Sequence, residues 1–302
     1  VPSSPGQITL SYAPIVRRVA PAVVNVYAAR VVANRNPLLD DPLFRRFFGG
    51  PGGPREQVQR SLGSGVIIDA SGLIVTNYHV IRDLKDLTVR LADGRTFLAE
   101  RYAVDPGIDL ALLTVRGARA PGVLTFAQVE ARRLPLGMGV VLVGFPYGQG
   151  PLASFGILSG VGPLEVPLPD PSVGGEVGTY LFTGAPLTVG NSGSPLLNLQ
   201  GEVVGLVADV IGGPAGIGGI GVAVPGDLVA QSIADLERFG VPQRGWLGAS
   251  LISLDELPPV LLRAVGLTST QGAMVDRVEP GSPAARAGLK GAQRDTQGRL
   301  LA

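Results

Sequence analysis

Three side chains of this 302-residue sequence are of the types that nucleophilic catalysis requires. His79, the only histidine, follows the run Gly72–Tyr78, which begins with the apolar residues Leu73, Ile74 and Val75. Asp109 opens another short apolar run, and Ser192 lies in the glycine-flanked segment Thr188–Pro195, which is typical of a tight turn. An imidazole can take a proton from a serine hydroxyl while a carboxylate fixes its tautomer, so these residues predict attack on a carbonyl carbon.

Each of these residues also has an ordinary structural interpretation. A lone histidine beside an apolar run is usually a satisfied core residue, an aspartate before a strand is usually a cap, and Gly-x-Ser-Gly is usually only a turn. The functional interpretation therefore depends on the three occurring together. Their chain order, His, Asp, Ser, is one of the orders that triad enzymes use.

Composition excludes several classes of protein. The net charge is +1, with acidic and basic residues interleaved, so neither a nucleic-acid partner nor an anionic membrane is indicated. With no cysteine and one histidine, a disulfide framework and an ordinary zinc site are excluded. The uncharged stretch Val210–Gly226 is too rich in glycine and proline for a membrane-spanning helix. We therefore expect no metal and no integral membrane segment.

Short apolar segments separated by turns occupy the chain from Gly63 to Val224 and predict an all-β protein. The 44 glycines and 26 prolines suit many turns, and Asp93-Gly94 is a hairpin signal. Because helices and strands do not alternate, a parallel α/β sheet is disfavoured. We predict two β halves that meet around Glu130–Pro135.

Helices are predicted at both ends of this β region. Ser11–Val19 has one apolar side and is followed by Pro21, after which Val23–Val32 is expected to be a strand. Asp227–Phe239 also has one apolar face, and Gly240 follows it as a typical helix end.

One motif could be mistaken for a cofactor site. Gly216–Gly221 matches Gly-x-Gly-x-x-Gly, the pattern of a dinucleotide-binding turn. Such a turn joins a strand to a helix, whereas this one leads into the extended segment Val222–Pro225. We therefore expect no cofactor.

Eight short strings carry a family resemblance. They are Thr76–Val80, Asp109–Leu113, Gly190–Gly193, Pro21–Val26, Gly63–Ile68, Gly144–Gly148, Ile220–Pro225 and Arg244–Gly248. Together they resemble the HtrA/Deg family of trypsin-like serine proteases, along nearly the whole chain. The resemblance implies a chymotrypsin-like double antiparallel β-barrel with a C-terminal helix over residues 1–241. It also implies a partial PDZ-like α+β module over residues 242–302.

The resemblance gives each candidate residue a role. Ser192 is the nucleophile, His79 the base and Asp109 the orienting acid, while backbone N–H groups of Gly190 and Ser192 form the oxyanion hole. In this family the peptide at Gly190 takes two orientations, which distinguish resting from active enzyme. Asp105 is the competing acid, but it lies in a turn, whereas Asp109 begins a strand as the family motif does.

The resemblance also implies a substrate pocket without charge. We expect it to be lined by Pro186, Leu187, Thr188, Val207, Ile220, Gly221 and Val222. A charged side chain would be desolvated there without a partner, so small aliphatic side chains should be preferred beside the cleaved bond. The substrate must be extended, because it adds as a strand beside Val207–Ile211.

Two positions depart from the family pattern near the nucleophile. Ser194 replaces a glycine that follows the Gly-Asn-Ser-Gly string, and this could strain the turn if the backbone there needs glycine. Gly184 replaces the aspartate of a Thr-Asp-Ala string, which removes a charge. Both could alter how readily the active conformation forms.

Two further segments are expected to regulate the protein. Residues 34–60 combine prolines, glycines, arginines and phenylalanines, and the resemblance implies a regulatory loop that reaches a neighbouring subunit. The alternative is an insertion whose phenylalanines pack on their own barrel. Trp246, Leu247 and Gly248 match the carboxylate-receiving loop of a PDZ domain, but the match stops at Ala302. We therefore expect an incomplete module that does not bind C-terminal peptides.

The expected function is a serine endopeptidase that degrades unfolded polypeptides. The resemblance implies a homo-trimer or higher oligomer in the periplasm or another extracytoplasmic compartment. Since Val1–Leu10 lacks the pattern of a secretory leader, we expect a mature form. The alternative is a chaperone or holdase whose protease site is normally closed.

Overall fold

The computed structural model describes residues 11–33, 56–82, 84, 86–117, 120–164, 178–211, 219–264, 267 and 269–293. The chain divides into two compact units, Val1–Pro242 and Gln243–Ala302.

Six antiparallel strands close into the first barrel of the N-terminal unit. In chain order they are β1 Val23–Ala33, β2 Glu56–Ile67, β3 Leu73–Asn77, β4 Leu87–Arg90, β5 Thr96–Asp105 and β6 Leu110–Val115. Their spatial order is β1-β2-β3-β6-β5-β4, and β4 closes the barrel on β1, with Asn25 opposite Arg90. The interior is filled by fully buried aliphatic side chains such as Val24, Val26 and Ile74.

Six more antiparallel strands close into the second barrel. They are β7 Gly139–Gly144, β8 Leu152–Gly162, β9 Tyr180–Thr183, β10 Pro195–Leu197, β11 Val203–Ile211 and β12 Ile220–Pro225. Their spatial order is β10-β11-β12-β9-β8-β7, and β10 closes the barrel on β7, with Leu196 opposite Leu142. The pairing of β11 with β12 contains a bulge between Val207 and Asp209.

The two barrels share one apolar layer. It combines buried side chains of the first barrel, such as Val66 and Leu110, with Val143 and Leu206 of the second. This packing brings loops of both barrels to one place, where residues far apart in the sequence can meet.

Three α-helices lie in the described part of the N-terminal unit. They are α1 Ala13–Val19, α2 Tyr78–Ile81 and α3 Gly226–Phe239. The apolar face of α3, which includes Val229, Ile233 and Leu236, is buried against the second barrel's cluster. Gly240 ends α3 with φ of 74°, a left-handed conformation that glycine adopts without a steric penalty.

In the C-terminal unit, the described residues form one antiparallel strand pair and two short helices. These are β13 Ala249–Ser253, α4 Pro259–Ala264, β14 Ala273–Val278 and α5 Pro283–Arg286. Ser282 caps α5, since its Oγ accepts a hydrogen bond of 3.1 Å from the Ala285 N–H.

The all-β prediction and the positions of both long helices are confirmed, with α1 starting at Ala13. Strands β8 and β9 were not predicted. Residues 56–60 do not belong to the loop expected over 34–60, because they extend β2 and pair with β1, Glu56 lying opposite Ala33. The rest of that loop, 34–55, lies outside the described residues. In the described part of the chain, no helix combines the length and apolar character needed to cross a bilayer.

Candidate active site

His79 lies on helix α2, directly after strand β3, and Asp109 fixes both its backbone and its ring. The His79 N–H donates to Asp109 Oδ1 at 2.9 Å, and His79 Nδ1 lies 2.7 Å from Asp109 Oδ2. The Asp109 side chain is nearly fully buried, whereas His79 is partly exposed. The carboxylate therefore orients the ring and leaves Nε2 as the atom that can exchange a proton.

The backbone of Asp109 is itself held in an uncommon conformation. Its φ is 55°, in the left-handed region, after a short 3-10 turn at Pro106–Ile108. The Asp109 carbonyl accepts hydrogen bonds of 3.1 Å from Asn77 Nδ2 and from the Tyr78 N–H. Aspartate tolerates this region better than most residues, so contacts from both sides can hold it there.

Asp105, the competing acid, has a different role. It is fully buried and its Oδ2 accepts a 2.6 Å hydrogen bond from Ser232 Oγ on α3. The geometry thus favours Asp109 as the partner of His79 and gives Asp105 a part in attaching α3 to the first barrel.

Ser192 lies on the turn between β9 and β10 and is half-buried. Its Oγ donates to the Ala208 carbonyl on β11 at 3.2 Å. No hydrogen bond joins the described side chains of Ser192 and His79. The structure thus brings Asp109 and His79 together, while the Ser192 hydroxyl is hydrogen-bonded to the Ala208 carbonyl instead of to His79. Catalytic hydrogen bonds are often incomplete in enzymes without substrate.

The turn before Ser192 presents backbone donors. Residues Thr188–Asn191 form a turn in which the Asn191 N–H donates to the Thr188 carbonyl at 3.1 Å. Gly190, the third residue of this turn, has φ of 97°. The Val189 carbonyl accepts from the Tyr147 N–H at 2.9 Å. Because the two groups of a trans peptide point in opposite directions, the Gly190 N–H points away from that contact. Within the described residues, neither Gly190 nor Ser192 uses its N–H in a hydrogen bond, so both N–H groups can receive an oxyanion.

Gly190 packs so tightly that no side chain fits. An added Cβ would lie 2.8 Å from the Phe145 carbonyl oxygen and 2.9 Å from the Tyr147 nitrogen. Tyr147, whose backbone nitrogen packs against Gly190, has a positive φ of 53°, as Asp109 does. The Arg90 side chain of β4 donates to the neighbouring Gly148 carbonyl at 2.8 Å and anchors this loop to the first barrel.

Ser64 of β2 supports the same turn from the first barrel, a contact that sequence reasoning missed. Its buried Oγ donates to the Gly190 carbonyl at 2.8 Å and accepts from the Phe145 N–H at 2.9 Å. The Ser64 N–H also donates to the Ser192 carbonyl at 2.7 Å. Ser64 stands in the string Gly63–Ile68 that carried the resemblance, but only the fold shows what its hydroxyl contacts.

The expected pocket residues have mixed exposure. Leu187, Val207, Gly221 and Val222 are buried, whereas Pro186, Thr188 and Ile220 are exposed. Leu187 lies directly on Gly221, where an added Cβ would collide with Leu187 Cδ1. Where Leu187 covers Gly221, this surface is therefore apolar and leaves little depth.

Asp209, next to Ala208 on β11, is a carboxylate that sequence reasoning missed near the site. Partial burial raises the pKa of Asp209, against the lowering effects of the Val210 N–H and of His79, while Asp109 raises it further. Asp209 Oδ1 accepts from the Val210 N–H at 2.7 Å.

In the C-terminal unit, the predicted carboxylate loop has exposed apolar side chains at Trp246 and Leu247. The Leu247 carbonyl accepts from the Ala284 N–H at 2.9 Å, and the Gly248 carbonyl accepts from the Glu279 N–H at 2.8 Å. Gly248 has φ of 72° and lies against Ser282, which explains the need for glycine there.

Comparison with known proteins identifies the family. A model described as Trypsin-like peptidase domain matches residues 63–206. A probable periplasmic serine endoprotease, DegP-like, of Pseudomonas fluorescens (strain Pf-5) is 34% identical over 295 residues, which cover 91% of this chain and 59% of that protein. The periplasmic pH-dependent serine endoprotease DegQ of Escherichia coli K12 is 35% identical over 299 residues, which cover 96% of this chain and 62% of that protein. The chain thus spans 59–62% of the length of these curated relatives.

A solved structure decides the assignment. An HtrA-type protease, AlgW, with a decapeptide is 34% identical, and the match covers 93% of this chain and 83% of that one with a TM-score of 0.71. This chain belongs to the HtrA/Deg family of serine proteases. Its two closed barrels are the double-barrel fold that the resemblance implied.

Neither departure from the HtrA/Deg pattern requires a strained backbone. Ser194 has a negative φ, so its backbone does not need glycine, contrary to the concern raised by its sequence. Its buried Oγ has no hydrogen-bond partner among the described residues, and it occupies the space where Gly144 lacks a Cβ. An added Cβ at Gly184 would meet only Ser159 Oγ, at 3.5 Å, so the missing carboxylate leaves open space.

Proposed function

We propose that this chain is a serine endopeptidase that cleaves unfolded polypeptides. The observation that carries the proposal is the pair of hydrogen bonds from His79 to Asp109 beside the serine turn. Within the described residues, the Gly190 and Ser192 N–H groups of that turn donate to no other group. The relatives named serine endoproteases support it. A holdase with a closed site is not favoured, because the turn already presents the Gly190 N–H.

In the proposed mechanism, substrate binding itself releases the nucleophile. A backbone N–H of an extended substrate donates a hydrogen bond to the Ala208 carbonyl. In the free protein this carbonyl accepts from Ser192 Oγ, which the substrate therefore displaces. The hydroxyl then turns to His79 Nε2, gives up its proton and attacks the scissile carbonyl. The negative oxygen accepts from the Gly190 and Ser192 N–H groups, and His79 passes the proton to the leaving amine. Water attacks the acyl-enzyme next, with His79 again as base.

The proposed substrates have a small aliphatic residue at the cleaved bond. The apolar surface formed by Leu187 and Gly221 supports this choice, since a charged side chain there would lose water without gaining a partner.

We propose a homo-oligomer, most simply a trimer, as the family resemblance implies. Its support in this chain is the apolar outer surface of β8, where Leu152, Phe155 and Ile157 are exposed and the Tyr12 ring stacks on Phe155 at 4.1 Å. We also propose a periplasmic location, because both curated relatives above are named periplasmic.

The test is digestion of β-casein by the whole chain and by its Ser192→Ala variant. The parent should cleave casein, and the variant should lose all but a trace of that activity while keeping its thermal unfolding temperature. Ser71→Ala, which changes another serine on an exposed turn, is the matched control and should cleave normally. Undiminished cleavage by Ser192→Ala would exclude Ser192 as the nucleophile.

A further inference from the structure

Strand β11 has an open edge beside the nucleophile. The pairing of β10 with β11 ends at Leu206, opposite Pro195. Val207 then exchanges hydrogen bonds with Gly193 and Ser194, at 2.8 and 2.9 Å. Beyond it, no strand among the described residues pairs with Ala208–Ile211 on this side, so an extended chain can add there.

The position of Ser192 sets the register of such a chain. Ser192 Oγ touches the Ala208 carbonyl, so the residue whose carbonyl is attacked, called P1, lies opposite Ala208. Every ladder between strands of this barrel is antiparallel, and an added strand that follows the same pattern places the preceding residue, P2, opposite Asp209 and the one before, P3, opposite Val210. Cross-strand neighbours point to the same face, so the P2 side chain lies next to Asp209.

Asp209 is a partly buried carboxylate that has no cationic partner among the described residues. It is half-buried, and the charged or titratable groups that face it are His79 and Asp109. Among the described residues, no lysine or arginine forms an ion pair with it. Within the described residues, the one hydrogen bond to the Asp209 carboxylate comes from the Val210 N–H. The next backbone groups on the open side after the Ala208 carbonyl are those of Val210.

We propose that Asp209 selects a lysine or arginine at P2. This proposal deepens the proposed proteolytic function and rests on it. A P2 ammonium or guanidinium donates to the Asp209 carboxylate and draws it away from Val210. The Val210 N–H then becomes free to donate to the P3 carbonyl. The Asp209 side chain therefore both selects the P2 residue and allows the substrate strand to pair with Val210. The preferred substrate is therefore an extended segment with a basic residue followed by a small aliphatic residue at the cleaved bond.

The experiment compares three chromogenic peptides, succinyl-Ala-Ala-X-Val-p-nitroanilide, in which X is Lys, norleucine or Glu. For the parent chain, kcat/KM should be at least about fivefold higher for Lys than for norleucine, and lowest for Glu, since a partly exposed charge pair is partly screened. In Asp209→Asn, which keeps an acceptor for the Val210 N–H, the Lys-to-norleucine ratio should fall to about one. Glu237→Gln, which removes an exposed carboxylate of α3, is the matched control and should keep the parent ratio.

Casein separates failure of this proposal from failure of the proposed function. Casein cleavage without a Lys-to-norleucine preference, or a preference that survives in Asp209→Asn, would overturn the role of Asp209 while leaving proteolysis intact. Absence of any Ser192-dependent cleavage would overturn proteolysis. In that event, calorimetric binding of the corresponding Lys and norleucine peptide amides to Ser192→Ala still decides the matter, since equal affinities would exclude the cation subsite.

Discussion

Asp109 shows how much a single residue contributes to this site. Its two carboxylate oxygens hold the backbone and the ring of His79, while its carbonyl is held by Asn77 and Tyr78. The left-handed backbone of Asp109 makes both sets of contacts possible at once. The orientation of the imidazole therefore depends on the conformation of one aspartate.

Replacing Asp109 by Asn should lower kcat by about 10³- to 10⁴-fold, because an amide favours the wrong imidazole tautomer. The fold should survive, since asparagine also tolerates positive φ. Peptide hydrolysis and thermal unfolding measure the two effects. In the control, Asp105→Asn, the hydrogen bond from Ser232 is altered, so stability should fall much more than kcat. Equal kcat losses in the two variants would contradict the assignment of Asp109.

The carboxylate of Asp209 should make stability depend on pH. Burial raises its pKa in the folded protein, so the folded state binds this proton more tightly than the unfolded state. The parent therefore loses stability as the pH rises through that raised pKa, and Asp209→Asn does not. The variant should gain up to about 1 kcal/mol over the parent at pH 7 and less at pH 3, because part of the carboxylate stays in water. Chemical denaturation at both pH values is the measurement, and a gain that is larger at pH 3 would refute it.

At the scale of elements, the turn at Thr188–Asn191 and the loop at Phe145–Gly148 act as one unit. The hydrogen bond from Tyr147 to Val189 fixes the direction of the Gly190 N–H, and each segment includes a residue with positive φ. The candidate oxyanion site is thus formed where two loops meet.

Gly190→Ala should therefore disable the site. Its Cβ would collide with Phe145 and Tyr147, so the peptide must move and kcat should fall about 100-fold or more. Gly137→Ala is the matched control, because Gly137 has φ of 81° but nothing lies within 4 Å of an added Cβ. Both variants incur the torsional cost of about 1 kcal/mol, and only Gly190→Ala should lose activity. Similar activity in the two would show that the close packing is unimportant.

The sequence predicts the elements and residues that carry local signals. His79, Asp109 and Ser192 stand in recognisable strings, and the β character follows from short apolar segments between turns. Strand β8 escapes such reasoning because it is interrupted by glycines and only one of its residues is fully buried. Ser64 and Asp209 escape it because their roles depend on contacts across the fold, as in the hydrogen bond from Ser64 to Gly190, 126 residues away.

At the scale of the whole molecule, the site exists only where the barrels meet. The first barrel supplies His79 and Asp109, the second supplies Ser192, and Ser64 crosses from the first to hold the turn of the second. The shared apolar layer fixes the barrels relative to each other.

Ser64→Ala should lower kcat per titrated active site by about tenfold without changing KM, because Gly190 and Phe145 lose their common partner while β11 is untouched. Stability should fall by about 1–3 kcal/mol, the cost of leaving buried groups without partners. Ser232→Ala removes another buried hydroxyl and should show the stability loss alone. If kcat per site is the same in both variants, Ser64 is merely structural.

A sole imidazole, hydrogen-bonded to a buried carboxylate, also makes this protein its own spectroscopic reporter. The proton between His79 Nδ1 and the buried Asp109 carboxylate lies in a 2.7 Å hydrogen bond, and no second histidine can overlap its signal. Any imidazole N–H resonance at the low-field end of a proton NMR spectrum therefore belongs to the His79–Asp109 pair. Ligand titrations, oligomer assembly and the movement of Ser192 can then be followed at that line without isotopic labels or mutations.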